Sequence, residues 1–256
     1  MSVSRAQFLK SLGTSLGGLA LGTGIASAAQ ALASNVASSS VPAVVPGQET
    51  TDVHFINSGP SDGNRIAITF DDGPTPGVTD VILDELKKRN IRSTFFMIGR
   101  QIVAAPELAQ RVLAEGHEIC NHTFNHVKLN TLSDQQVNWE IQKTQDTISE
   151  LLNYRPTWLR PPYGAFRKNQ IGILQSLNVG VVFWSVDSRD WSQPGEEKIS
   201  NTILTHTKPG SIILCHDLHK QTASCIGQIL DGLLERKFEF TSISAFLNQS
   251  YHNQLV

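Results

Sequence analysis

Two adjacent carboxylates, Asp71 and Asp72, close the apolar β-type run Ile66-Ala67-Ile68-Thr69-Phe70 and lead into Gly73-Pro74. Asp-Asp-Gly-Pro is also ordinary turn chemistry, so the pair gains meaning only in company with residues further along the chain. Downstream, His122-Thr123-Phe124-Asn125-His126 sets two imidazoles four positions apart. On a helical turn that spacing brings both to one side, where both can bind one metal ion. Two histidines with one carboxylate, Asp71 or Asp72, make a ligand set that leaves zinc an open coordination position for water.

Three further clusters carry polar groups of the kind that chemistry uses. Arg160-Pro161-Pro162-Tyr163-Gly164 is stiff, because two prolines fix φ and remove two N–H groups. It reads either as a rigid loop or as a device in which Arg160 neutralises a buried carboxylate while the turn aims the Tyr163 N–H at a developing oxyanion. Asp187-Ser188-Arg189-Asp190-Trp191 follows the apolar Phe183-Trp184 segment. An aspartate there caps a helix, or it orients a histidine and raises its basicity, with Trp191 as the wall of a sugar site. Leu214-Cys215-His216-Asp217 supplies that histidine. Gly59-Pro60-Ser61-Asp62-Gly63 spells the G-x-S-x-G nucleophile elbow, but it precedes a strand instead of following one, so a serine hydrolase is set aside.

Clusters so far apart in the chain need a repeating scaffold to meet. Hydrophobic periodicity and turn residues predict strands over 65–70, 92–98, 118–121, 158–160, 179–186, 211–214 and 238–241. Helices are predicted over 78–89, 106–115, 168–177, 196–206, 225–236 and 242–248. One more opens at a Ser133/Gln136 capping box and carries Val137, Ile141, Ile148 and Leu152. About seven β/α units in one domain imply parallel strands covered by helices, as a barrel or a doubly wound sheet. Barrels place their active residues after the carboxyl ends of strands. Asp71 and Asp72, His122 and His126, Tyr163, Asp187 and Asp190, and His216 all fall there. Neighbouring strand side chains face opposite ways, so Asp71 and Asp72 share a site only if the backbone turns, and Gly73-Pro74 provides a turn.

Composition bounds the rest. A chain of 256 residues, 40% hydrophobic, supports one well-buried domain of about 200 residues with appendages. The net charge is −2, and no basic patch calls for nucleic acid. Cys120, Cys215 and Cys225 form no Cys-x-x-Cys pair and read as buried thiols, with a Cys215–Cys225 bridge as the alternative in an oxidising compartment. Residues 1–33 read as an export signal: Arg5 and Lys10 precede an uncharged Gly/Ala/Leu stretch with A-x-A cleavage sites such as Ala26-Ser27-Ala28. The opening resembles a twin-arginine signal with Ala6 in place of the second arginine, and a general secretory signal fits equally well. These readings place the chain in the periplasm, the cell wall or the extracellular space. An uncleaved membrane anchor is the alternative. Residues 34–51 read as a flexible spacer and 52–256 as the folded domain.

Taken together, Thr69-Phe70-Asp71-Asp72-Gly73-Pro74, His122-Thr123-x-x-His126, Arg160-Pro161-Pro162-Tyr163, Asp187-x-x-Asp190-Trp191 and Leu214-x-His216 resemble, in order and approximate spacing, the five motifs of polysaccharide deacetylases, carbohydrate esterase family four. The resemblance covers roughly residues 65–246. It implies an α/β fold, a distorted (β/α) barrel with fewer than eight full units. It also implies one divalent metal ion, usually zinc, with cobalt or another divalent metal as substitute, held by Asp72, His122 and His126. Asp71 would be the general base, partnered by Arg160, and His216 the general acid, tuned by Asp190 in preference to Asp187. The Tyr163 N–H would stabilise the oxyanion, and Trp191, Leu214, Pro162 and Tyr163 would line the acetyl and sugar pocket. The implied reaction is hydrolytic N-deacetylation of an N-acetylated glycan, peptidoglycan ahead of chitooligosaccharide, with release of acetate. An O-acetyl ester hydrolase on the same scaffold and a glycan-binding wall protein without catalysis are the alternatives. The expected partner is the glycan, met by a monomer, with no nucleic acid and no membrane contact except through an uncleaved amino-terminal segment.

Overall fold

The computed structural model describes residues 54–252; the signal and spacer readings of residues 1–51, and the extreme ends of the expected domain, lie outside them. Strand β2 (Arg65–Asp71) shows how the site is aimed. Side chains alternate across a strand. Ile66, Ile68 and Phe70 join the core packed under the helices, whereas Ala67 belongs to a second core inside the curl of the sheet. Thr69 and Asp71 share that inner face by the same alternation.

Among the described residues, eight more strands complete one sheet: β1 (Phe55–Ile56), β3 (Thr94–Met97), β4 (Glu118–Asn121), β5 (Trp158–Leu159), β6 (Gly180–Val182), β7 (Val186–Asp187), β8 (Ile212–His216) and β9 (Glu239–Phe240). Every pairing is parallel. The order is β1-β6-β5-β4-β3-β2-β8-β7, with β9 beside β2. Strands β6 and β7 stand six places apart in that order, which on a flat sheet is about 29 Å at about 4.8 Å per strand. The chain nevertheless joins Val182 to Val186, a reach of at most about 14 Å. The sheet must therefore curl until its ends nearly meet, which makes it a distorted, open (β/α) barrel.

The helices are α1 (Thr79–Lys88), α2 (Gly99–Ala104), α3 (Pro106–Ala114), α4 (Asp134–Leu152), α5 (Ile171–Leu177), α6 (Glu196–His206), α7 (Lys220–Glu235) and α8 (Ile243–His252). With β6 and β7 counted together, the strands from β2 to β9 are each followed by a helix, which makes the seven units expected. The Ser133/Gln136 capping box opens α4, and Gly116 at φ +82° follows α3. Ile243, Phe246 and Leu247 of α8 pack into the inner core and close the bottom of the barrel. The Glu118 carboxylate secures α8 there, accepting from Thr94 Oγ1 at 2.8 Å and from the Ser244 N–H at 3.1 Å.

One expected strand is corrected. The run 179–186 is not continuous: the Phe183 N–H donates to Ile56 on β1 and the Ser185 N–H to Ile212 on β8, so the chain changes partner across a single residue. The run looks uniform in sequence because both halves are buried. Two short elements, β1 and α2, have no counterpart among the predicted ones. Gly59 is a packing point, since a Cβ there would lie 2.3 Å from the Phe246 ring, and no nucleophile elbow forms around Ser61. All three cysteines are free and buried, so Cys215 and Cys225 are not bridged. No helix among the described residues is long and apolar enough to cross a membrane.

Candidate active site

The alternation that turns Asp71 inward would turn Asp72 toward the helices. Asp72 escapes this by adopting φ +79°, a left-handed conformation that costs a non-glycine residue about 1–3 kcal/mol. The reversal thus begins one residue before the Gly73-Pro74 turn that the sequence suggested. Both carboxylates then face the same cavity.

His122 and His126 reach that cavity from the loop after β4, and the loop is not the helical turn expected from their spacing. Thr123 and His126 sit at φ +64° and +58°, and this folded loop brings the ring centroids to 5.0 Å. Glu140 on α4 holds it: Oε2 accepts from the Phe124 and Asn125 N–H groups, both at 2.9 Å, and Oε1 accepts from Asn125 Nδ2 at 2.8 Å. Asn121 Oδ1 accepts from the Thr123 N–H at 2.8 Å. His122 Nδ1 donates to the Arg160 carbonyl at 2.6 Å, which leaves the Nε2 lone pair facing Asp72. Asp72 Oδ1 lies 3.1 Å from His126 Nε2 and 3.4 Å from His122 Nε2.

These three side chains fit a divalent metal ion. One ligand atom from each lies within 4.8 Å of the others, and Asp72 Oδ1 is buried with no hydrogen-bond donor among the described residues. Burial raises the Asp72 carboxyl, but the adjacent His122, with His126 and His216, outweighs it and holds the group well below the usual carboxylate range. Burial, and then His122, lower the His126 pKa, so its lone pair stays available at neutral pH. Two imidazoles and a carboxylate are the nitrogen and oxygen donors that zinc and similar ions take.

Beside this cluster Asp71 is tied to Arg160, which is fully buried; Nη1 donates to Asp71 Oδ1 at 2.6 Å and to Thr69 Oγ1 at 2.8 Å. Arg160 also donates to the Val182 and Phe183 carbonyls, and its guanidinium lies 4.0 Å over the Phe96 ring. Asp71 Oδ2 is left toward the cavity, 3.7 Å from His122 Nε2. Across the cavity His216 Nδ1 contacts Asp190 Oδ1 at 2.6 Å. Burial alone would lower the His216 pKa, but the Asp190 hydrogen bond and charge, with Asp71 and Asp72, raise it to about 9. Asp187 is spent on the Arg189 N–H at 2.8 Å, so Asp190 is the partner of His216.

The cavity has a volume of about 420 Å³ and is walled by Pro161, Tyr163, Trp184, Asp187, Trp191 and Leu214. Tyr163 and Trp191 are exposed at its mouth. Tyr163 adopts φ +60°, and the turn is closed by the Gly164 and Ala165 N–H groups, which leaves the Tyr163 N–H outside those bonds. Pro162 is corrected: it is buried in the turn, and its neighbour Pro161 lines the cavity instead. Sequence reasoning misses Trp184 because it lies in the apolar run that crosses the barrel opening and reads as core. It misses Glu140 and Asp217 as well: Glu140 carries no signal in its helix, and for Asp217 only its place directly after His216 hints at a role.

Residues 58–182 match the sequence profile of the polysaccharide deacetylase family. A peptidoglycan-N-acetylglucosamine deacetylase, PgdA, of Listeria monocytogenes is 38% identical over 179 residues; the match covers 70% of this chain and 38% of that protein, so the chain spans well under half the length of this relative. The crystal structure of the Bc1960 peptidoglycan N-acetylglucosamine deacetylase superposes with a TM-score of 0.74 at 33% identity, covering 77% of this chain and 94% of that one. A chitooligosaccharide deacetylase of Rhizobium leguminosarum bv. trifolii is 34% identical over 209 residues, or 75% of this chain and 96% of the relative. Agreement in sequence over nearly the whole of that relative, together with the shared barrel, means that this chain belongs to the polysaccharide deacetylase family.

Proposed function

We propose that the chain is a metal-dependent hydrolase that removes the acetyl group from N-acetylated amino sugars of a glycan, peptidoglycan ahead of chitooligosaccharide, and releases acetate. The observation that carries this reading is that a carboxylate, Asp71, and an Asp190-paired imidazole, His216, line one cavity together with the Asp72, His122 and His126 cluster. A binding protein without catalysis would need neither the base nor the acid. The names of the Listeria and Bc1960 relatives favour peptidoglycan, and the Rhizobium relative supports chitooligosaccharide as the second substrate.

Asp72, His122 and His126 would hold the ion, zinc first and cobalt as substitute. When bound, a divalent ion supplies Lewis acidity toward water and toward an acyl oxygen. An acetamide is a poor electrophile, so the attacking water must lose a proton as it adds, and Asp71 Oδ2 takes it while Arg160 occupies Oδ1. The Tyr163 N–H donates to the oxygen that gains charge, a contact of about 3–4 kcal/mol in comparable sites. The sugar nitrogen cannot leave as an anion. His216, raised to about 9 by Asp190, keeps its proton at neutral pH and delivers it to that nitrogen. Leu214, Trp184 and Trp191 wall the apolar side of the cavity, where the acetyl methyl and the sugar face would lie. The lysine- and arginine-led apolar stretch of residues 1–33 supports export of the domain to the periplasm or cell wall, where such glycans are found.

Acetate release from N-acetylated peptidoglycan and from chitooligosaccharides tests the reading, before chelation, after it, and after zinc is restored. Chelator-sensitive release that zinc restores is expected. Release that survives full chelation would sink the metal-dependent mechanism, and no release from either glycan would sink the deacetylase reading.

A further inference from the structure

Asp72 faces the site because its backbone breaks the alternation of β2 at φ +79°. Its neighbours on both sides are bound by a single residue from another strand end. The Asp217 N–H donates to the Asp71 carbonyl at 3.1 Å, and Asp217 Oδ1 accepts from the Gly73 N–H at 2.9 Å. Asp217 Oδ2 accepts from Thr79 Oγ1 at 2.6 Å, and Thr79 Oγ1 in turn accepts from the Thr75 N–H at 2.8 Å, so the segment from Gly73 into α1 is tied to the same carboxyl. Asp217 is fully buried, and a Cβ on Gly73 would lie 1.9 Å from Oδ2, so the approach requires glycine there.

We propose that Asp217 is a positioning residue that brackets Asp72 and holds it in the left-handed conformation that aims its carboxylate at His122 and His126. The inference rests on the metal site proposed above and adds the device that assembles it. Asp217 touches neither the ligand atoms nor the cavity. Its chain neighbour, His216, is held by Asp190, so two adjacent residues at the end of β8 index the acid and the ligand loop to each other. A barrel that needed only packing at this place would be served by an apolar side chain, because burial disfavours a carboxylate and pushes Asp217 up to about 7.

The test is zinc affinity of the full chain, measured by competition with a chromophoric chelator, with near-ultraviolet circular dichroism as the check on folding. Asp217→Ala, and Asp217→Leu, which keeps the branched skeleton with bulkier ends and accepts no hydrogen bond, are expected to weaken zinc binding about 10- to 100-fold, as loss of outer partners does in metal sites. Asp217→Asn retains an oxygen for the Gly73 N–H and is expected to recover most of that loss. Glu118→Gln, at the bottom of the barrel, is expected to lower the melting temperature and leave zinc affinity within twofold. Folded Ala and Leu variants that bind zinc within twofold of the parent would overturn the proposal. So would an Asn variant as weak as Ala, or Ala and Leu variants that do not fold with zinc present, because a positioning role leaves the barrel intact. The assay needs no turnover: a parent chain that binds zinc and releases no acetate sinks the proposed activity and leaves this inference standing, whereas a parent chain that takes no zinc overturns both.

Discussion

Asp190 Oδ1 lies 2.6 Å from His216 Nδ1, and Oδ2 of the same carboxylate accepts the His216 backbone N–H and the Thr222 hydroxyl, each at 2.7 Å. Ring and backbone of one residue are therefore fixed by one buried carboxylate. Its own pKa is lowered: burial raises it, and the bonds and charge of His216 outweigh that. The pair behaves as a unit whose proton sits on the imidazole.

Removing that carboxylate has a defined sign. The folded pKa of His216, about 9, lies above its ordinary value of 6.5, so the proposed acid is protonated through neutrality and is lost as pH rises through 9. Asp190→Asn leaves burial opposed only by the Asp71 and Asp72 charges and moves the basic limb of kcat/KM down from about 9 toward the ordinary 6.5, with a rate at pH 8 lower by about 10-fold. The same pair stabilises the fold fully below pH 6.5 and progressively less as pH rises through 9, so the difference in urea midpoint between parent and variant is expected to shrink over that window. A basic limb unmoved by Asp190→Asn would remove Asp190 from its tuning role.

The base and ligand roles proposed for the adjacent aspartates separate in a metal assay. Asp71→Asn is expected to retain one zinc per chain and lose activity by about 10²- to 10⁴-fold. His126→Ala is expected to lose the zinc itself. Equal occupancy in the two variants, by elemental analysis, would sink this division of labour.

Arg160 is a wholly buried cation whose loss strands Asp71. Arg160→Ala removes donors to Asp71, Thr69, Val182 and Phe183 together. Breaking such a pair from one side costs about 3–5 kcal/mol, to be read from urea denaturation of the chelated protein. A loss under about 1 kcal/mol would mean that water enters and solvates Asp71.

Glu140 supports the histidine loop from outside the cavity. Glu140→Ala frees the Phe124 and Asn125 N–H groups and is expected to weaken zinc binding by about 10- to 100-fold. Far-ultraviolet circular dichroism should be unchanged, because α4 keeps its Ser133 cap. Unaltered zinc affinity would show that the loop holds its shape without this carboxylate.

Much of this site is legible without the fold, for local reasons. Alternation in 65–70, the Ser133/Gln136 capping box and the position of each polar cluster after a strand all depend on neighbours within a few residues. They are enough to predict parallel β/α units and to bring Asp71, Asp72, His122, His126, Arg160, Asp187, Asp190 and His216 forward as candidates, whereas the choice of Asp72 as ligand and of Asp190 over Asp187 came from the resemblance to polysaccharide deacetylases. The spacing of His122 and His126 correctly predicts a pair and wrongly a helical turn, because two positive-φ residues do what the helix was expected to do. Pro162 entered the pocket lining through the family resemblance, and the cavity is lined by its neighbour Pro161 instead, because stiffness of the turn does not say which of two prolines faces inward.

What the residue types alone determined is which polar groups are candidates for chemistry and at which end of the barrel they stand, since strand period and turn residues act over short range. Tertiary structure decided which groups meet. The break at Phe183–Ser185 exists because the two barrel edges lie on either side of it, and the Asp217–Gly73 bond joins positions 144 apart in the chain. No periodicity carries such a distance. Asp72 at φ +79° is likewise a conformation its own neighbours do not favour, and the bonds around it, the Asp72 N–H to Phe96 on β3 and those of Asp217 to Asp71 and Gly73, form only once β2 lies between β3 and β8.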